Sequence, residues 1–380
     1  MKTAGIICEY NPFHLGHARQ LRLIRQALGE DTLVICAMSG NYVQRGAPAM
    51  WDKFTRARAA VACGADAVFE LPITTVLQSA EGFARGGVEI LTRLGVDVLS
   101  FGAECPDGNR LMSLARKIDS EDFSAVLRQW LGLGLPYAAA RQQALGDAEG
   151  LLSQPNNILG LEYCRAILSQ DSHLQPLVIH RNGDYHAQSP TKDAPSATAV
   201  RALYPQGDWQ MCVPPAAAAQ FSNSPWYETA FGERAVLARL RALRDEEWSR
   251  CAHGSEGLWS KAMKAARSCS TFEQIIEATK SKRYPRTRLQ RLLLCAYLGI
   301  TQADLTRPIS YVRILALSEQ GRGFVRSARS KSDLTLVNPG QTPPDQAYFA
   351  LETRASDLFT LFAAPNCPSV CRLEQDSRLF

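Results

Sequence analysis

The chain has 380 residues, 46% of them hydrophobic and 21% charged, and this size and balance suit a soluble globular protein with two domains; no apolar run approaches the ~20 residues of a membrane-spanning helix, and no basic-then-apolar leader opens the chain, which argues against membrane insertion and export. The net charge of +5 is unevenly placed: residues 1–205 carry 19 Lys+Arg against 20 Asp+Glu, while the remainder carries 23 against 17, a mildly basic half that suits a polyanionic partner. Eleven cysteines, an odd number scattered without C-x-x-C spacing, speak against a disulfide framework or a zinc site and for reduced thiols, so the cytoplasm is the expected location.

In chain order, the apolar run 4–8 predicts a buried strand, which Asn11-Pro12 ends because proline lacks a ladder donor and restricts the residue before it. Apolar residues at helical spacing (Leu15, Leu21, Ile24, Leu28) predict a helix over 15–28. Strand, tight turn and helix aim backbone N–H groups and a positive dipole end at an anion. His14 and His17 fall on one side of that helix start, with Gly16 between them where a nucleotide could approach the backbone. Further strands are expected over 31–38, 67–71, 98–101 and 175–180, alternating with helices over 52–63 and 79–94 and a helical stretch over 107–150. This alternation predicts an α/β fold, a Rossmann-like parallel sheet built from βαβ units with ligands at the carboxyl edge of the strands. The loop 39–46 and Gly102-Ala103-Glu104 open at that edge.

Pro155-Asn156-Asn157 reads as a helix N-terminus, where capping alone is a sufficient account of both asparagines. The helix start Ser196-Ala197-Thr198, with Arg201 one turn on, is either an ordinary N-cap or an anion site. Pro205, Gly207, Pro214 and Pro215 mark a domain junction, giving a catalytic domain over 1–205 and a mostly α-helical, basic domain over 206–380. Within the latter, 280–291 carries six cations and no acid around Tyr284. That run is a solvated helix face or an RNA-phosphate contact with an aromatic platform. A strand over 311–315 and a loop through 321–326 follow.

His14-Leu15-Gly16-His17 resembles the His-x-Gly-His signature of the nucleotidyltransferase superfamily, whose histidines stabilise charge on the α-phosphate as pyrophosphate leaves. Together with Glu9-Tyr10-Asn11-Pro12-Phe13, Met38-Ser39-Gly40, Gln44-Arg45-Gly46, Glu70-Leu71-Pro72, Phe101-Gly102-Ala103-Glu104, Asp184-Tyr185-His186 and Lys282-Arg283-Tyr284 with Thr287 to Arg291, it makes the chain similar to the bacterial tRNA(Met) cytidine acetate ligase family. The resemblance runs from residue 1 to about residue 315, and Arg181-Asn182-Gly183 departs from the family in detail. It implies a two-step reaction. Acetate attacks the α-phosphate of ATP to give acetyl-adenylate and pyrophosphate. The N4 amine of the wobble cytidine in elongator tRNA(Met) then takes the acetyl group, leaving AMP.

The resemblance implies that ATP is held along Ile7, Cys8, Glu9, Tyr10, Asn11, Pro12, Phe13, His14, Leu15, Gly16, His17, Ala18, Arg19 and Gln20, and by Gly102, Asn157 and Arg181. His14, His17 and Arg201 are the expected catalytic residues, and Ser196 and Thr198 the expected anion-binding hydroxyls. Gln44, Arg45 and Lys53 are expected to contact the cytidine or acetate, and Lys282, Arg283, Arg286, Arg288 and Arg291 the tRNA. Acetate is already an anion at pH 7, so the first step needs positioning and charge neutralisation rather than a general base. Mg²⁺ is expected on the phosphates, although no carboxylate cluster is dedicated to it and no metal ligand is assigned. The cytosine amine is a poor nucleophile and needs an acyl group as reactive as a mixed anhydride. A nucleotidyltransferase acting on a small phosphorylated metabolite, and a non-catalytic tRNA-binding protein, are the competing readings.

Overall fold

The strand Leu33–Ser39 is buried along its whole length. Leu33, Ile35 and Ala37 face one core, and Val34, Cys36 and Met38 face the other. A continuous apolar run of this kind belongs in the middle of a sheet covered on both sides. A computed structural model of the chain describes residues 2–135, 137–146, 151–181, 196–365 and 367, and places that strand near the centre of a seven-stranded sheet. In chain order the strands are β1 Thr3–Cys8, β2 Leu33–Ser39, β3 Ala67–Leu71, β4 Val98–Ala103, β5 Gln175–His180, β6 Tyr311–Leu317 and β7 Thr335–Val337. Their spatial order is β5-β4-β1-β2-β3-β6-β7.

The first five strands are mutually parallel, as expected. The chain builds outward from β1 through β2 to β3, then returns to lay β4 on the other side of β1. The order therefore reverses between β1 and β4, which opens a crevice beyond their carboxyl ends. The turn after β1 carries Glu9 to His14, and the turn after β4 carries Glu104.

Residues on both sides of position 205 share the sheet. Beyond it the chain is mostly helical, but β6 pairs antiparallel with β3 and β7 parallel with β6. The buried face of β6 (Tyr311, Val312, Ile314, Leu315) gives it apolar contacts on both sheet faces, so the sheet grows rather than ends at β3. The stretch 321–326, expected as a loop, lies inside the helix Glu319–Lys331. Its buried residues are Gly321, Val325 and Ala328. Two of these three are so small that helical periodicity is weak to the eye. The helix Arg286–Leu298 buries every residue from Leu292 to Leu298 and ends on Gly299 in the left-handed conformation. No helix among the described residues is long and apolar enough to cross a membrane.

Candidate active site

His14 is the N-cap of the helix Leu15–Leu28, with extended backbone and a side chain that turns back on the helix. Its Nδ1 accepts the Gly16 N–H at 3.0 Å, and the His17 Nδ1 accepts the His14 N–H at 3.2 Å. The two rings stack with centroids 3.7 Å apart. Tyr10 and Phe13 pack against His17 at 4.8 and 5.5 Å, so the pair is walled by aromatic edges. Tyr10 itself takes φ +44°, a left-handed turn out of β1, and its hydroxyl is tethered to the Cys36 Sγ. A residue at such φ persists only when its surroundings hold it there, and here the ring contacts do so.

Burial lowers the His14 pKa to about 3, with further depression from the Arg181 and Arg201 charges. His17 is also held well below the usual range, first by burial and then by His14 and Arg181. Both rings are therefore neutral at pH 7. With Nδ1 spent as an acceptor, each neutral ring carries its proton on Nε2. The pair offers two fixed N–H donors, and the positive charge beside them is that of Arg181 and Arg201.

Arg201 donates to the Asn11 carbonyl at 2.6 Å and to the Thr198 hydroxyl at 3.1 Å, which fixes a guanidinium against the motif. The Ser196 hydroxyl caps its short helix by accepting the Ala199 N–H. Across the crevice, the aliphatic part of Arg181 lies directly over Gly102, where any side chain would collide with it. Its guanidinium donates to Asn156 Oδ1 at 3.1 Å. Asn157 is 1% exposed and accepts from Cys105 N–H while donating to the Leu151 carbonyl, so its side chain ties the β4 loop to the helix Pro155–Ser169. The Glu104 carboxylate accepts from Asn156 Nδ2 and Asn157 N–H at that helix N-terminus. Arg181 is thus aimed by Asn156, which the sequence marks only as a helix cap, and by Glu104, which it places at the carboxyl edge without a role. Asp184, Tyr185 and His186 lie outside the described residues.

Arg56 was also missed. It is fully buried on the helix Lys53–Ala62 and donates to the carbonyls of Glu9, Ser39, Gly40 and Trp51. One guanidinium thereby joins the carboxyl ends of β1 and β2. Burial lowers its pKa to about 10, which leaves it charged at neutral pH. Nothing in its local sequence distinguishes it from a surface arginine of a helix. Glu9 sits beside this clamp and accepts the Gln44 N–H at 2.7 Å. Burial raises its carboxyl pKa, against the lowering effects of that bond and of Arg56, Arg201 and Arg45. Within the stretch 7–20, Ile7, Cys8, Tyr10 and Phe13 are core side chains, Arg19 is exposed, and Gln20 donates to the Ser100 carbonyl of β4.

A pair of fixed imidazole donors flanked by arginines at a sheet switch point is the arrangement that the signature anticipates. The family described as HIGH Nucleotidyl Transferase matches residues 1–372. The tRNA(Met) cytidine acetate ligase of Acetivibrio thermocellus is 34% identical, over 89% of this chain and 88% of its own length. That of Syntrophotalea carbinolica is 35% identical, over 89% and 84%. The chain belongs to the tRNA(Met) cytidine acetate ligase family. The crystal structure of apo Thermotoga maritima TmcAL, 28% identical, matches with a TM-score of 0.86 over 99% of this chain and 98% of that one. The same protein bound with alpha-thio ATP matches at 0.83 over 97% of each chain.

In this member of the tRNA(Met) cytidine acetate ligase family, two expected contact residues are buried instead. Lys53 is 1% exposed and bonds both carboxylate oxygens of Glu70 at 2.7 and 2.8 Å, deep beside Arg313 and Glu352. Its alkyl stem points inward because it occupies the first turn of a helix whose first five residues are all buried. Arg291 is 7% exposed and donates to the Gln44 carbonyl. In this structure Lys53 is committed to Glu70 and Arg291 to the Gln44 carbonyl, which sets both apart from the exposed cations Lys282, Arg283 and Arg45.

The same bond shows how the basic segment meets the nucleotide edge. Gly46 (φ +81°) packs so closely on the helix Arg286–Leu298 that a Cβ would sit 2.6 Å from the Arg291 nitrogen. The loop Gln44-Arg45-Gly46 is therefore held between Glu9 on one side and the basic helix on the other, with Arg45 exposed. Lys282 is exposed, Arg283 pairs with Glu256 at 2.7 Å, and Arg286 pairs with Glu273 and Glu277. The Arg283 and Arg288 guanidiniums lie 5.9 and 5.1 Å from the Tyr284 ring centre.

Proposed function

We propose that the protein activates acetate with ATP and transfers the acetyl group to N4 of the wobble cytidine of elongator tRNA(Met), in the cytoplasm. An acetate oxygen attacks the α-phosphorus as the bond to the pyrophosphate oxygen breaks. The cytidine amine then attacks the acetyl carbonyl, the bond to AMP breaks, and the amine proton is released. The observation that carries this reading is the stacked His14–His17 pair with both Nδ1 atoms committed and both Nε2 protons free, since the described residues hold no partner for either.

ATP lies along residues 7–20, over Gly102, with its phosphates between the two imidazole donors and the Arg181 and Arg201 guanidiniums. These donors are in place before charge builds on the phosphates, which is where preorganised groups lower a barrier most. Asn157, Glu104, Asn156 and Arg56 hold the loops rather than the nucleotide. Among the described residues, no group of three or more His, Cys, Asp or Glu side chains could hold a metal ion. Mg²⁺, when bound, would be carried by the triphosphate oxygens and would neutralise part of their charge. The tRNA lies along Lys282, Arg283, Arg286 and Arg288, and the cytidine, turned out of the anticodon loop, approaches by way of Gln44 and Arg45. Exposed Arg–Glu pairs are worth little in water, so phosphates can displace Glu256, Glu273 and Glu277 from their partners.

The direct test is incorporation of labelled acetate into bulk tRNA with and without ATP. ATP-dependent label recovered as N4-acetylcytidine is the expected result. No label, with pyrophosphate released on a phosphorylated metabolite, would transfer the chain to the nucleotidyltransferase reading. Binding of tRNA without pyrophosphate release would make it a non-catalytic binder.

A further inference from the structure

The helix Glu319–Lys331 has the sequence EQGRGFVRSARSK, with a single acid at its first position. Gly321, Val325 and Ala328 are buried, while Arg322, Arg326, Arg329 and Lys331 are all exposed. Arg322, Arg326 and Arg329 each follow a buried residue by one position, so they line up at i, i+4 and i+7 on the adjoining face. Like charges at that spacing repel along a helix. Arg322, Arg326 and Lys331 have no side-chain partner among the described residues. Arg329 donates only to neutral acceptors, the Leu336 carbonyl and Asn338 Oδ1.

The contrast with the run 280–291 is direct. There, Arg283 and Arg286 are matched by Glu256, Glu273 and Glu277. On the helix Glu319–Lys331, no carboxylate among the described residues forms an ion pair with the arginine row. The helix that carries the row is anchored at its start. Ser318 caps the helix through the Gly321 N–H, and its own N–H and hydroxyl donate to the Asp66 carbonyl and carboxylate. Gly321 lies so near the Asp66 carbonyl that no side chain could replace its hydrogen. Phe324 packs toward Phe69 of β3.

We infer that the arginine face of the helix Glu319–Lys331 is a second tRNA-binding surface, in addition to the segment 282–288. This rests on the proposed function for the identity of the polyanion. A row of exposed arginines about one helical turn apart, without paired carboxylates among the described residues, matches a phosphate backbone in charge. It does not match a lipid surface: the exposed large hydrophobic residues among those described are Val126, Leu131, Leu133, Met211 and Leu361, none on this helix. The affinity it contributes is independent of sequence, because phosphates carry no base information.

The test measures binding of unmodified tRNA at several salt concentrations by R322E/R326E, R322Q/R326Q and R322K/R326K. Charge reversal should weaken binding at least tenfold. The glutamine pair should also flatten the slope of log affinity against log salt by about 1.5, the loss of two phosphate contacts. The lysine pair should bind within a few-fold of the natural protein. Acetate-dependent ATP–pyrophosphate exchange reports folding in every variant and should not change. The glutamine pair carries the test should the reversed pair fail to fold. Unaltered affinity and salt slope in the reversed and glutamine pairs would overturn this inference while leaving the function intact. A natural protein that fails to bind tRNA at all would remove both.

Discussion

On the proposed function, the carboxyl edge of the sheet and the basic surfaces meet an anion in opposite ways. At the edge, His14, Arg56 and Asn157 are buried, and their polar atoms are committed to backbone groups. The donors left over are few, fixed and partly neutral. On the surface, Arg283 and Arg286 are charged, and the carboxylates that pair with them are exchangeable glutamates. Buried donors cost folding energy and give geometry, whereas exposed cations cost little and give affinity that salt can screen. A transferring phosphate needs the first, and a long RNA backbone needs the second.

That contrast can be broken at several points. Replacing His17 with alanine should cut acetate-dependent ATP–pyrophosphate exchange by roughly 10²–10³-fold, the usual cost of a lost transition-state donor. Affinity for tRNA, measured by filter binding, should hold. A near-normal exchange rate would remove the histidine pair from the mechanism. Reversing Arg283 and Arg286 together should lower tRNA affinity about tenfold at low salt, with a smaller effect at high salt. The same protein should make acetyl-adenylate at the natural rate; equal losses in both assays would mean that the two regions are not separable.

Acid provides a subtler probe. The folded-state pKa of His14 lies at about 3 against an ordinary 6.5, so between those values the unfolded chain binds the extra proton. The stability that His14 contributes is full above about pH 6.5 and drains away as the pH falls toward 3. Thermal melts of H14Q should consequently show a shallower loss of Tm from pH 6.5 to 4 than the natural protein, and parallel curves would contradict the buried neutral ring. The smallest expected effect on binding is at Lys53. Lys53→Met should leave tRNA affinity within twofold, yet destabilise the fold by about 2 kcal/mol, because the buried Glu70 carboxylate would be left with the Arg313 guanidinium at 3.4 Å as its cationic partner. A large loss of tRNA affinity with an unchanged Tm would restore Lys53 as a contact residue.

Local sequence and tertiary contact decided different parts of this protein, for physical reasons. Periodicity, β-branched runs and proline placement are local, and they located β3 and β5 at their observed bounds and the His-x-Gly-His turn between β1 and its helix. The pairing of His14 with His17 was also legible, because a spacing of three at a helix start leaves little freedom. Three things depended on residues far apart in sequence, and only the tertiary structure decided them. Lys53 turned from a candidate contact into a buried ion pair because Glu70 waits on a neighbouring strand. Arg56 became a clamp because three separate backbone segments bring carbonyls within reach of one guanidinium. Charge showed the same limit: 280–291 stood out as six cations without an acid, but its acids come from Glu256, Glu273 and Glu277. Sequence counts charges along a chain, whereas free energy counts them through space. The ordinary-looking 319–331, once folded as a helix, is where the arginines form no ion pair with any described carboxylate.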